Sequence, residues 1–124
     1  MPTRPRVLLA DDHPGVVRAL SRLLSFECDV VGTVSDGSEV AEAANNLQPV
    51  VVVVDVNLPN VNGLDVCREI TMKSPRARVV VMSGMFDPEV AQAARTAGAS
   101  GVFDKAAMGD KLVAAIKEAW TGTL

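Results

Sequence analysis

The sequence predicts a doubly wound α/β domain, in which helices cover both faces of a parallel five-stranded sheet. Strand-like and helix-like patterns alternate five times along the 124 residues. The strand segments are continuous apolar runs, which are typical of strands buried on both faces. A closed barrel would need about eight such units, so the pattern favours an open (βα)5 sheet with right-handed crossovers.

The first unit begins with the apolar run at residues 7–10 and ends at Asp11 and Asp12. Pro14 suits the first turn of a helix. Apolar residues then recur at helical spacing; they are Val16, Val17, Leu20, Leu23 and Leu24. Residues 30–34 predict the second strand, and residues 35–38 supply a turn and a helix cap. The apolar positions of the second helix are Val40, Ala41, Ala44 and Leu47.

The third strand is the run of five valines at residues 50–54, which ends at Asp55. Helical spacing predicts a third helix over residues 63–73. Residues 79–82 form another apolar run and predict the fourth strand.

The fourth helix is predicted to begin at residues 87–89, where an acid and a proline suit a first turn, and to end at Gly98. Its predicted inward residues are Val90, Ala93, Ala94 and Ala97. Because these side chains are small, the helix buries little apolar area. We therefore expect it to unfold locally at a low cost in free energy. Residues 101–103 predict the fifth strand. A last helix should run to Trp120, with Gly122 as its stop; its apolar residues are Leu112, Val113, Ile116 and Ala119.

Composition excludes several classes of protein. The net charge is −3 and aromatic residues make up 3% of the chain, so we expect no direct binding of nucleic acid. The apolar runs are too short to cross a membrane. The N-terminus lacks the apolar segment of a secretory signal, so we expect a cytoplasmic protein. Cys28 and Cys67 form no metal-binding pair, and we expect two half-buried free thiols.

Chemistry is concentrated at one edge of the predicted sheet. In the flavodoxin-like strand order 2-1-3-4-5, which we expect here, ligands bind beyond the carboxyl ends of strands one and three. Those strands end in Asp11-Asp12 and Asp55, while strand four ends at Ser83 and strand five runs into Lys105. Each residue alone could be an ordinary turn or capping residue. Their joint occurrence at the ends of four strands indicates a functional site.

Three clustered carboxylates repel one another. Either a divalent cation relieves the repulsion or one acid titrates at higher pH. Oxygen ligands suit Mg²⁺, which keeps waters in its remaining positions. With Mg²⁺ and Lys105 drawing phosphate to this edge, an ionised aspartate can attack a phosphoryl group and carry it as an aspartyl phosphate.

Four segments resemble the receiver domains of two-component response regulators: LLADDHP, VVDVNLPNVNGLDV, VVMSG and GVFDKA. The resemblance covers almost the whole chain. The first two segments are most similar to the NarL/FixJ-like subgroup, whose receivers precede a C-terminal helix-turn-helix domain. We therefore expect residues 1–124 to form one receiver domain, with any DNA-binding effector domain outside this chain.

The resemblance implies a role for each acid. Asp55 is the implied phosphoacceptor. Asp12 would bind Mg²⁺, or Mn²⁺, directly, and Asp11 largely through water. The backbone carbonyl of Asn57 would complete the protein ligands, which are Asp11, Asp12, Asp55 and Asn57.

The resemblance also makes Ser83 and Lys105 catalytic partners of Asp55, each contacting a phosphoryl oxygen. Two positions depart from the family pattern. Val102 stands where the family often has an aromatic switch residue, and Ala106 follows the lysine where proline is common. We therefore expect movement of the Ser83 loop, rather than a ring flip at Val102, to carry the signal.

The implied donor is a phosphohistidine on a sensor histidine kinase. The chain would catalyse its own phosphorylation and dephosphorylation without being a turnover enzyme. Phosphorylation would switch the surface formed by helix 4, strand 5 and helix 5 and control transcription through an effector domain. A homodimer on activation is a further implied partner.

Several alternative functions compete with this interpretation. A degenerate receiver would bind partners without phosphorylation, and Val102 keeps this alternative open. A flavin module would need a phosphate-binding loop where Asp11 and Asp12 would repel the phosphate. An aspartate phosphatase would need an acid where Asn57 stands. His13 is interpreted as an exposed loop histidine rather than a phosphate carrier or a metal ligand.

Overall fold

The computed structural model describes residues 4–84, 87–107 and 110–121. The strands are β1 (Arg6–Ala10), β2 (Asp29–Val34), β3 (Val51–Asp55), β4 (Arg78–Ser83) and β5 (Gly101–Asp104). The helices are α1 (Pro14–Leu24), α2 (Val40–Leu47), α3 (Gly63–Lys73), α4 (Pro88–Thr96) and α5 (Asp110–Thr121). Every predicted element is present, and Gly122, the predicted stop of the last helix, lies outside the described residues.

The five strands form one parallel sheet in the order β2-β1-β3-β4-β5. The predicted fold class and strand order are therefore confirmed. The valine strand β3 lies at the centre, where Val53 pairs with Leu9 on one side and Val80 on the other. All of β3 is buried, because helices cover both faces of the sheet.

Two apolar cores lie on opposite faces of the sheet. Alternate β3 residues divide between them: Val51 and Val53 face α1 and α5, while Val52 and Val54 face α2, α3 and α4. The first core is closed by long side chains of α1 and α5, including Leu20, Leu24, Leu112 and Ile116. On the second face, the buried residues that α4 contributes to the core are alanines.

The buried face of α4 differs from the predicted one. Ala91, Ala94 and Ala97 are buried, whereas Val90 and Ala93 are only half-buried. Residues 91, 94 and 97 recur at intervals of three, which places their methyl groups on one stripe of the helix. The predicted face was therefore wrong by one position at its N-terminal end, although it remains a face of small side chains.

The C-terminus of α4 is defined by a glycine. The helix ends two residues before Gly98, the predicted stop, which has a φ of +104°. The N–H of Gly98 donates to the carbonyl of Arg95 at 3.0 Å, and the N–H of Ala99 donates to the carbonyl of Ala94 at 2.9 Å. This is the Schellman pattern, which favours glycine at the left-handed position.

Both cysteines are free, as predicted, but they are fully buried rather than half-buried. Cys28 packs in the core beneath α1, and Cys67 lies on the inward face of α3. Burial raises the pKa of both thiols, which lowers their reactivity. Within the described ranges, no helix is long and apolar enough to cross a membrane.

Candidate functional site

Four strands bring polar side chains to the carboxyl edge of the sheet. Asp55 is the last residue of β3 and Ser83 the last residue of β4, while Asp11 and Lys105 directly follow β1 and β5. The N–H of Asp11 donates to the carbonyl of Val34 at 3.0 Å, so Asp11 continues the alignment of β1 with β2. Parallel strands thus deliver all four side chains to one edge.

The acids form a tight cluster. One ligand atom from each of Asp11, Asp12, His13 and Asp55 lies within 4.8 Å of the others. Asp11 and Asp55 are each 1% exposed, whereas Asp12 is open to solvent. Carboxylates this close together and this deeply buried are unfavourable unless positive charge compensates them.

Lys105 supplies the first compensating charge. Its Nζ lies 2.8 Å from Asp11 Oδ2 and 3.1 Å from Asp55 Oδ2, and its side chain is 16% exposed. Burial alone would raise the pKa of Asp11, but Lys105 and His13 bring it below the ordinary 3.8. Burial would also lower the pKa of Lys105, but the two carboxylates raise it above the ordinary 10.5. Lys105 is therefore charged at neutral pH and paired with both buried acids.

His13 supplies a second nitrogen, which sequence reasoning did not place in the site. Its side chain is 58% exposed, as predicted. Yet its Nδ1 lies 2.9 Å from Asp11 Oδ1, 3.2 Å from Asp12 Oδ1 and 3.8 Å from Asp55 Oδ2. The only sequence signal for this position was its place between the acid pair and Pro14.

The loop after β3 returns to the acid that it follows. The N–H of Asn57 donates to Asp55 Oδ1 at 3.1 Å, and the N–H of Gly63 donates to the carbonyl of Val56 at 2.8 Å. A side chain at Gly63 would lie 2.3 Å from the carbonyl oxygen of Asp55. Only glycine therefore allows α3 to start this close to the end of β3.

A second loop holds this segment in place. The N–H of Gly37 donates to the carbonyl of Pro59 at 3.0 Å, and a Cβ at Gly37 would lie 1.8 Å from the carbonyl oxygen of Val61. Asn60 has a φ of 70° and donates its side-chain amide to Asp36. Hydrogen bonds from Ser38 and Asn60 lower the pKa of Asp36. These contacts order the loop that carries Asn57.

The two neighbouring residues of β5 point to opposite faces of the sheet. Val102 packs against the core beneath α2, α3 and α4, whereas Phe103 belongs to the core beneath α1 and α5. Among the described residues of β5, no aromatic side chain therefore faces α4. Ser83 is 3% exposed at the end of β4, and the Lys105–Ala106 peptide is trans.

The cluster of Asp11, Asp12 and Asp55 could hold a metal ion. The donor set fits a hard divalent cation, which takes carboxylate oxygens and retains waters in its remaining positions. Asp12 leaves one side of the cluster open to solvent. The imidazole of His13 adds one nitrogen to an otherwise all-oxygen set.

A family model and two curated relatives match this sequence. A model of the response regulator receiver domain matches residues 7–117. The DNA-binding transcriptional activator DevR/DosR of Mycobacterium tuberculosis is 35% identical over 119 residues, which cover 94% of this chain and 55% of that protein. The nitrate/nitrite response regulator NarL of Escherichia coli is 33% identical over 120 residues, which cover 95% and 56%. The chain thus spans about half the length of the curated relatives it matches.

Solved structures agree with the sequence relatives. A LuxR-family two-component response regulator from Aurantimonas matches with a TM-score of 0.91 at 30% identity, covering 96% of this chain and 86% of that one. A signal receiver domain from Mycobacterium tuberculosis matches with a TM-score of 0.86 at 32% identity, covering 98% and 99%. The chain belongs to the response regulator receiver domain family, and its relatives are NarL-like and DevR-like regulators of the LuxR family.

Proposed function

We propose that this chain is a phosphoacceptor receiver domain in which Asp55 accepts a phosphoryl group from a phosphohistidine of a sensor histidine kinase. One observation supports this proposal above the others. Asp55 is 1% exposed at the end of the central strand, yet its Oδ2 lies 3.1 Å from Lys105 and it shares a cluster with Asp11 and Asp12. A nucleophile is thus fixed on a rigid element beside groups that bind charge.

In the proposed reaction, a carboxylate oxygen of Asp55 attacks the phosphorus of the donor. An O–P bond forms as the P–N bond of the phosphohistidine breaks, and the departing imidazole nitrogen takes a proton from solvent. The buried valines of β3 keep the carboxylate from moving away during the attack. The product carries about two negative charges and strong acceptor oxygens.

The proposed cofactor is Mg²⁺, with Mn²⁺ as an alternative. A divalent ion supplies positive charge that stabilises the phosphoryl oxygens during transfer. Asp12, Asp55 and the carbonyl of Asn57 would hold it directly. Both oxygens of Asp11 already contact Lys105 or His13, which supports a role for Asp11 through water.

Lys105 and Ser83 would respond to the new phosphoryl group. Lys105 can exchange its contact with Asp55 for a phosphoryl oxygen, because it is already paired with that carboxylate. Ser83 would donate its hydroxyl to another phosphoryl oxygen and pull the segment before α4. Since Val102 has no aromatic ring, this movement would carry the signal to the surface of α4, β5 and α5.

The proposed output is control of transcription through an effector domain. Two relatives are named as a DNA-binding transcriptional activator and a nitrate/nitrite response regulator. Residues 1–124 would form one receiver domain, and a homodimer on activation would present the effector to DNA. The chain itself would be a phosphorylated switch in the cytoplasm rather than a turnover enzyme.

Intact mass spectrometry with a small-molecule phosphodonor and Mg²⁺ tests the proposal. The wild type should gain one phosphoryl group, and Asp55→Asn should gain none. Asp29→Asn is a matched control, because Asp29 is an exposed acid at the opposite end of the sheet; it should behave as the wild type. A comparable mass gain in Asp55→Asn would contradict the assignment of Asp55.

A degenerate receiver is the second candidate. Lys105 already compensates the two buried acids in the absence of a phosphoryl group, and Val102 stands where the family often has an aromatic switch residue. A folded wild-type protein that gains no phosphoryl group, from either a small donor or a kinase, would favour this candidate.

A further inference from the structure

The acid cluster contains one group that the proposed metal site does not use. His13 is the only histidine in the sequence. Its Nδ1 lies within 3.8 Å of an oxygen of each of the three carboxylates. A single nitrogen therefore faces the same space as the oxygens of Asp11, Asp12 and Asp55.

The backbone holds the ring in this place. The N–H of His13 donates to Asp11 Oδ1 at 2.8 Å, which closes a tight turn after β1. His13 is the N-cap residue of α1, with φ −97° and ψ 106°, and Pro14 follows it in the first helical turn. A residue before proline is restricted to such extended conformations. The side chain makes no capping hydrogen bond to α1, so helix capping does not account for its orientation.

We propose that His13 Nδ1 is an additional ligand of the divalent cation and sets the metal preference of the site. This inference rests on the proposed function, because it assigns a ligand to the same site. Mg²⁺ prefers oxygen ligands and gains little from an imidazole. Imidazole suits the later first-row ions, and Zn²⁺ binds nitrogen at about 2.0–2.1 Å. One histidine nitrogen added to the oxygen ligands of this site should therefore favour Zn²⁺ over Mg²⁺ more strongly than the oxygen ligands alone.

A simpler role for the ring makes a different prediction. An imidazole that is 58% exposed could act only as a solvated partner of the carboxylates. Its removal would then change the affinity for every divalent cation to a similar extent. The ratio of the Zn²⁺ and Mg²⁺ affinities separates the two roles, because only a ligand changes that ratio.

Calorimetric titration of the whole chain with Zn²⁺ and with Mg²⁺ provides the first measurement. In His13→Ala, the Zn²⁺/Mg²⁺ affinity ratio should fall at least about tenfold, the low end of the loss seen when even an outer partner of a metal ligand is removed. Asp12→Ala is the comparison variant, because it removes an oxygen and should weaken the binding of both ions.

Nitrogen NMR of the wild type provides the second measurement and does not depend on any variant. Since the chain has one histidine, its two ring nitrogens give the only imidazole signals. Zn²⁺ should shift the Nδ1 signal strongly and leave Nε2 protonated, whereas Mg²⁺ should have a smaller effect. Either of two results overturns the inference: an unchanged affinity ratio in His13→Ala, or an Nδ1 signal that Zn²⁺ does not shift.

These outcomes are separable from failure of the proposed function. If the wild type gains a phosphoryl group with Mg²⁺ but either result above is obtained, only the role of His13 is wrong. If Asp55 gains no phosphoryl group with Mg²⁺, the proposed function is wrong, whereas the affinity ratio and the Nδ1 signal still decide whether His13 is a ligand.

Discussion

Helices α1 and α4 both begin with a proline in their first turn, but different interactions hold them. On α1, Leu20 and Leu24 are at most 1% exposed and long apolar neighbours surround them, yet the N-cap residue His13 makes no side-chain cap. On α4, the buried side chains are alanines, but Asp87 accepts a hydrogen bond from the N–H of Val90 at 2.9 Å. Burial of long side chains in the core therefore stabilises α1, whereas α4 depends more on its N-cap.

Burial and capping contribute different amounts of free energy to the two helices. A fully buried leucine contributes about 1.5–3 kcal/mol, whereas one buried methyl group contributes about 0.8 kcal/mol and a good N-cap about 1 kcal/mol. A helix held mainly by its cap can open locally without disrupting the core. The α4 helix also follows β4, which ends at Ser83 on the same edge of the sheet as the acid cluster. A change at Asp55 should therefore reach the surface at α4 rather than at α1.

The largest expected effect comes from breaking the anchor of α1. Leu24→Ala should lower the free energy of unfolding by about 3–4 kcal/mol, because it leaves a cavity in the core beneath α1. Asp87→Ala should lower it by only about 1 kcal/mol through loss of the cap. Asp87→Asn should have a smaller effect, because asparagine can also cap the helix. Urea denaturation measures all three variants. Similar losses for Leu24→Ala and Asp87→Ala would contradict the distinction between burial and capping.

The next effect concerns the compensated acids at the edge of the sheet. Lys105→Met should lower the free energy of unfolding at neutral pH by about 2–3 kcal/mol, less than for a fully buried pair because the lysine is 16% exposed. The raised pKa of Lys105 stabilises the fold below pH 10.5, and this contribution is lost as pH rises through the folded value. The lowered pKa of Asp11 stabilises the fold above pH 3.8, and this contribution is lost as pH falls through the folded value.

The difference in the free energy of unfolding between the wild type and Lys105→Met should therefore be largest at neutral pH. It should become smaller at both low and high pH. Denaturant unfolding at a series of pH values provides the measurement. A difference that stays constant across the series would mean that the lysine acts through packing alone. Mg²⁺ should stabilise Lys105→Met more than the wild type, because the acids there lack their resident counter-charge.

Smaller changes in stability are expected from substituting one glycine in or next to each of the two helices. A Cβ at Gly98, just after α4, would meet Thr71 at 2.6 Å and require a φ of +104°, so Gly98→Ala should cost at least about 1 kcal/mol. Gly15 lies in the first turn of α1, where a Cβ meets nothing within 4 Å. Gly15→Ala should stabilise the protein by about 0.4–1 kcal/mol. Thermal melts should show opposite shifts, and equal shifts would contradict this difference in environment.

The sequence was sufficient to predict the elements and the strand order. Continuous runs such as residues 50–54 identify buried strands, and polar residues at the ends of four runs identify the functional edge. Periodicity also gave the faces of α1 correctly, because its leucines contrast strongly with their neighbours. On α4 the same method failed at Val90 and Ala91, since a mostly alanine helix gives little contrast between adjacent positions.

Contacts between loops could not be read from the sequence. The place of His13 among three carboxylates depends on the turn after β1, and the burial of Cys28 depends on how the segment after α1 packs. The fit of Gly37 against Val61 joins two loops that are distant in the sequence. Propensity and spacing describe single elements, whereas these contacts arise only when the elements pack together.

Hydrogen exchange of α1 and α4, with and without phosphorylation or beryllium fluoride and Mg²⁺, tests most directly whether the signal from Asp55 reaches α4. In the free protein, amides of α4 should exchange faster than those of α1. On activation, exchange in α4 should change while exchange in α1 stays the same. Asp55→Asn treated with the phosphodonor should show no change in α4. Protection of α4 equal to that of α1, unaltered by activation of a protein whose mass shows phosphorylation, would contradict this route.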